Sequence, residues 1–105
     1  MVTEQDIRAV AARIAAEFRP QRIILFGSRA AGTPREDSDV DLLVVMPFEG
    51  PALRKTVEIL DRVNPAFAVD LILHRPEEAA RRYAALDPVV REAYQRGVVL
   101  YEAAA

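Results

Sequence analysis

Three acidic side chains stand where acids are costly. Asp39 and Asp41 open an apolar run in SDVDLLVVM, and Asp70 sits inside a second one, FAVDLIL. Carboxylates on strands that otherwise read as buried lose hydration and repel one another, so a positive charge is expected between them. A divalent metal carrying a phosphate fits that need. Ten residues separate Asp39 from the pair Gly27-Ser28, in RIILFGSRAAG, which closes a short apolar run with a turn.

The spacing assigns each half a task. Asp39 and Asp41 are two apart on a predicted strand, so their side chains share a face while Val40 and Leu42 take the other. The two acids make a forked ligand. Asp70 lies mid-strand with Ala68 and Ile72 on its face, and pairing of the two strands would bring all three acids together. Oxygen-only ligands suit magnesium or manganese rather than zinc. Two such ions about 3.5–4 Å apart hold the attacking and leaving oxygens of an in-line phosphoryl displacement. Gly27 lets backbone approach a ligand, and the amides of Ser28, Arg29 and Ala30 open a helical turn that favours an anion. The Ser28 hydroxyl can bind a triphosphate oxygen. Arg29, and Arg35 from the following loop, are cations in reach of phosphate, with solvated surface as the competing reading.

Elements that position these residues follow from periodicity and caps. Thr3 caps a helix from Glu4 to Arg19 whose Ile7, Val10, Ala11, Ile14, Ala15 and Phe18 form one face, closed by Pro20. Arg22 to Phe26 is a strand, SRAA one helical turn, Thr33 to Asp37 an exposed loop, and Asp39 to Met46 a second strand. Pro51 starts a helix through Leu53, Val57, Leu60 and Val63, ended by Asn64-Pro65. Phe67 to His74 is the third strand. Pro76 opens a helix carrying Tyr83 and Leu86, Asp87-Pro88 restarts it with Val89, Val90, Ala93 and Tyr94, and Gly97 closes it before a short strand from Val98 to Tyr101. This order predicts an α+β fold, a small mixed β-sheet with helices packed on one face, as a single domain over 1–105.

Composition narrows the function classes. An apolar share of 51% excludes a disordered chain, and no apolar run approaches membrane-spanning length. The start MVTEQDIRAV does not read as a signal peptide, so a cytoplasmic location is expected. With no cysteine there is no thiol nucleophile, disulfide or thiolate zinc site. Net charge is −2 with no basic block, which argues against a long nucleic acid as partner. His74 reads as an ordinary strand-end histidine, and Tyr83, Tyr94 and Tyr101 read as packing.

Gly27-Ser28, the ten-residue gap, Asp39-Val40-Asp41 and the distant Asp70 together resemble the DNA polymerase beta superfamily of nucleotidyltransferases, in its minimal nucleotidyltransferase branch. The ending RGVVLYE belongs to the same resemblance. It implies that Asp39, Asp41 and Asp70 ligate metal, that Asp70 accepts the proton of an attacking hydroxyl, and that Gly27 and Ser28 bind the triphosphate tail. Arg29 joins them as a cofactor-site residue.

The implied reaction transfers a nucleoside monophosphate and releases pyrophosphate, with Mg2+ (two ions, or Mn2+) and ATP as substrate. Members of this branch act as antitoxins to a HEPN-domain toxin, which implies AMP transfer to a tyrosine of that partner. Two other readings stand beside it: an antitoxin that neutralises by binding alone, and transfer to a small molecule in a pocket built by dimerisation. Because so little chain surrounds the site, the acceptor is expected to arrive as another protein.

Overall fold

A computed structural model describes residues 2–32 and 39–104. The elements run α1 (Glu4–Phe18), β1 (Arg22–Phe26), β2 (Val40–Val45), α2 (Ala52–Val63), β3 (Val69–His74), α3 (Pro76–Ala84), α4 (Pro88–Arg96) and β4 (Val98–Glu102). The loop carrying Arg35 lies outside the described residues. None of the described helices is long and apolar enough to cross a membrane.

Local chemistry sets the boundaries. The Thr3 hydroxyl accepts the Asp6 amide at 3.1 Å while the Asp6 carboxylate accepts the Thr3 amide at 2.9 Å, a reciprocal cap. That backbone hydrogen bond holds Asp6 below the ordinary aspartate value. Arg19 ends α1 in the left-handed region, and Asn64 does the same for α2. Asp87 caps α4 by accepting the amides of Val89 and Val90. Leu86, expected on a helix, instead follows the end of α3 with φ of 67° and stands exposed.

The sheet order is β3-β2-β1-β4. β1 pairs antiparallel with both β2 and β4, whereas β2 and β3 are parallel neighbours joined through α2. The α+β class and the mixed sheet are as expected. The helices, however, cover both faces rather than one. Ile23, Leu25, Val40, Leu42 and Val44 pack with α1 and α2 through Ile14, Ile59 and Val63. Ile24, Phe26, Leu43 and Val45 pack on the other face against Ala79 of α3 and Ala93 of α4.

The reason lies in the strands themselves: Ile23 to Phe26 and Leu42 to Val45 are buried without interruption. A strand apolar at successive positions needs cover on both sides, whatever its neighbours' direction.

The helix α2 turns a different face inward from the expected one. Its buried residues are Ile59 and Val63, while Leu53 and Val57 are 75% and 58% exposed. The stripe drawn through Leu53 and Val57 therefore faces outward, because Ile59 sits on the opposite side of the helix from Val57.

Arg13 donates to the Val63 carbonyl at 2.7 Å and ties α1 to the end of α2.

Candidate active site

The strand pairing brings the acids into register. Asp41 of β2 stands directly opposite Asp70 of β3 in the parallel ladder, and both lie on the α3/α4 side of the sheet with Leu43 and Ile72. Neighbouring strands are about 4.8 Å apart, so the two carboxylates are forced close. Asp39 precedes the first residue of β2 and is exposed.

The Asp41 carboxyl is raised above the ordinary aspartate value, first by burial and then by the negative charges of Asp70, Asp39 and Glu92. Losing hydration beside three other acids disfavours its ionised form. Any cation placed there would reverse that.

The Gly-Ser turn meets this pair from β1. Phe26, the last residue of β1, pairs with Asp41, so the chain turns at Gly27 immediately beside the carboxylate. Gly27 has φ of 78°, and a Cβ built there would drive into Asp41 Oδ2. Glycine is required twice over, by backbone conformation and by space. One turn follows, with the Ala31 amide donating to the Gly27 carbonyl at 3.1 Å.

An open cavity of about 490 Å³ lies beside the turn, lined by Gly27, Ser28, Ala31, Glu92 and Arg96. A larger groove of about 840 Å³ lies at the other end of the sheet, around Arg22, Val45 and Tyr94, away from the acids.

Arg29, His74 and two of the tyrosines lie apart from the Asp41–Asp70 pair. Arg29 is half-buried, lines a cavity with Val2, Ile7, Leu25 and Leu100, and has a guanidinium nitrogen 3.5 Å from the Val2 carbonyl. Leu25 belongs to the α1 face, so Arg29 stands on the side of the sheet opposite Asp41 and Asp70. His74 is at the far end of β3, where its Nδ1 lies 3.4 Å from Glu78. Tyr83 and Tyr94 stack on each other at 5.5 Å.

Glu92 is the residue that sequence reasoning missed. It sits on α4, and its carboxylate accepts the Gly27 amide at 3.1 Å. No spacing marks it, since only the packing of α4 on β1 brings it to the turn.

Among the described residues, no three His, Cys, Asp or Glu side chains stand close enough together to hold an ion as they are. The donor chemistry nonetheless fits a hard divalent cation: the Asp41 and Asp70 carboxylates are adjacent, all donors are oxygen, and ionised Asp41 is disfavoured by burial and then by neighbouring negative charge. Asp39 and Asp41 with Asp70 would hold it.

The chain matches the nucleotidyltransferase domain family over residues 7–100. It belongs to that family. The expected activity class, a nucleotidyltransferase, follows from this membership. No curated protein sequence matches the chain.

Among solved structures, a proposed nucleotidyltransferase from Sulfolobus solfataricus superposes with a TM-score of 0.65 at 20% identity, covering 93% of this chain and 78% of that one. A mutant of the toxin-antitoxin MntA-HpeT gives 0.56 at 19% identity, covering 97% and 75%. A toxin-antitoxin with AMP-PNP gives 0.56 at 21%, again covering 97% and 75%. At these identities the likeness is one of fold. The fold places the Gly-Ser turn, Asp41 and Asp70 of this nucleotidyltransferase at one end of its sheet.

Proposed function

We propose that this nucleotidyltransferase uses ATP and magnesium to transfer AMP to a hydroxyl of a partner protein, a tyrosine of a HEPN-type toxin, and thereby acts as an antitoxin. The observation that carries the reading is the Asp41–Asp70 pair with Gly27 packed against it. Fold neighbours that are toxin-antitoxin proteins, one of them with AMP-PNP, support the context.

In the proposed reaction the acceptor oxygen attacks the α-phosphorus, an O–P bond forms, and the bond from that phosphorus to the bridging α–β oxygen breaks. Pyrophosphate leaves with the electron pair. Bound metal would neutralise charge on the phosphates and align the two oxygens. The protein's own groups do the rest. Asp39 and Asp41 would hold the metal together with Asp70, Asp70 accepts the proton of the hydroxyl, and Gly27 and Ser28 hold the tail of the triphosphate. Gly27 suits that task because it carries no side chain of its own, where a Cβ would drive into Asp41.

The test is to mix the chain with its operon neighbour, ATP and magnesium and weigh the neighbour. An AMP-sized gain in mass, lost in an Asp39→Asn, Asp41→Asn double variant, is expected. No gain, with toxin inhibition intact in that variant, would replace transfer by binding alone.

A further inference from the structure

Glu92 is an exposed residue of α4, yet its carboxylate is not simply solvated. It accepts the Gly27 amide, and among the described residues that amide is its one hydrogen-bonding partner and no cation pairs with it. A carboxylate held by a bare backbone N–H marks the place where an anion is favoured. The place is the turn that the proposed function gives to the triphosphate.

Four residues on, which is one turn of α4, Arg96 lines the same cavity as Gly27, Ser28 and Glu92. Arg96 has no ion-pair partner among the described residues. Its planar fork of donors is suited to phosphate oxygens. Arg29, the cation expected from sequence for that task, stands on the opposite side of the sheet.

We propose that Glu92 occupies the seat of a substrate phosphate on the Gly27 amide, and that a bound polyphosphate displaces it and engages Arg96. One N–H cannot serve two anions, and a second negative group beside Asp41 and Asp70 opposes the charge of the incoming phosphate. Glu92 therefore sets how tightly a polyphosphate is held. Arg96 supplies the positive charge that discriminates a polyphosphate from a neutral ligand. This inference rests on the proposed placement of the triphosphate at Gly27 and Ser28.

Titration of the isotope-labelled protein with inorganic tripolyphosphate in the presence of a chelator separates the two. The Gly27 and Ser28 amide resonances are expected to shift. Glu92→Ala is expected to tighten tripolyphosphate binding about ten- to hundredfold, the worth of one hydrogen bond to a charged group. Arg96→Ala is expected to weaken it by a similar factor. Glu92→Gln keeps the shape without the charge, should tighten binding less, and carries the test should the alanine variant unfold.

Shifts of both amides with no tightening in either Glu92 variant would overturn the role of Glu92 and leave the phosphate seat standing. Amides that do not move would overturn the seat, and the role of Glu92 with it.

Discussion

Asp41 and Asp70 stand side by side across the parallel β2–β3 ladder, and this one pairing converts acids nearly thirty positions apart in the chain into a common site. The pairing is unfavourable by itself. Burial and the charges of Asp70, Asp39 and Glu92 raise the Asp41 carboxyl above its ordinary value. A folded pKa above the unfolded value of about 3.9 means that ionised Asp41 opposes folding at neutral pH. The cost fades as pH falls through the folded and then the unfolded value.

Asp41→Asn is therefore expected to raise the Tm of the metal-free protein at pH 7, with the gap to the unsubstituted chain closing below about pH 4. The same variant should lose the thermal shift that magnesium and ATP give the unsubstituted chain. Transfer should fall more than about a hundredfold, since even partners one step removed from a metal cost about 10–100-fold. A metal-free Tm lower than that of the unsubstituted chain would contradict this account of the charge.

Gly27→Ala tests the turn independently of charge. Its φ of 78° and the approach of Asp41 Oδ2 both penalise a methyl group. A loss of about 1–3 kcal/mol of stability is expected in denaturant melts. Tripolyphosphate binding should weaken as well, because the backbone must shift away from Asp41. Gly32→Ala is the control: its φ is also 78°, but a Cβ there meets nothing within 4 Å, so only the backbone part of the cost should appear.

The strand Arg22–Phe26 and the order of the eight elements among the described residues follow from caps, turns and apolar runs, because those signals are local. The acids and the Gly-Ser turn were legible as a spaced motif. Glu92 was not, since its role exists only through the packing of α4 against β1, and a glutamate on an amphipathic helix carries no mark of that. Where Arg29 lies was not legible either: sequence adjacency to Ser28 says nothing about which side of the sheet a long side chain takes, and its guanidinium lies beside the Val2 carbonyl. Cover on both faces was signalled by the unbroken runs IILF and LLVV, which alternate-face reading passes over.

Asp87 should give the molecule a specific response to acid. Its carboxyl is held low, first by the Val90 amide and, against some burial, by Arg82 and the Val89 amide. Arg82 also binds Glu78, so one arginine joins α3 to the cap of α4. With a depressed folded pKa, Asp87 contributes stability that is present above about pH 4 and lost as pH falls through its folded value. Asp87→Ala is expected to cost about 1–2 kcal/mol at pH 7, measured by urea titration. Its penalty should shrink steadily in more acidic buffer, the reverse of the trend for Asp41→Asn.

The outward turn of Leu53 and Val57 can be checked by stability alone. Ile59 is fully buried between α2 and the sheet, so Ile59→Ala should cost about 2–5 kcal/mol through lost contact and the cavity left behind. Leu53→Ser and Val57→Ser remove apolar groups that already face solvent, and each should stay within about 0.5 kcal/mol. If α2 instead buried the stripe through Leu53 and Val57, the order of penalties would invert, with Val57→Ser costing more than Ile59→Ala. Because α2 is the connection between β2 and β3, its rotation about its own axis also fixes how those strands are held together. A destabilising Ile59→Ala should accordingly weaken magnesium-dependent ATP binding at the Asp41–Asp70 pair as well, while Leu53→Ser leaves it unchanged.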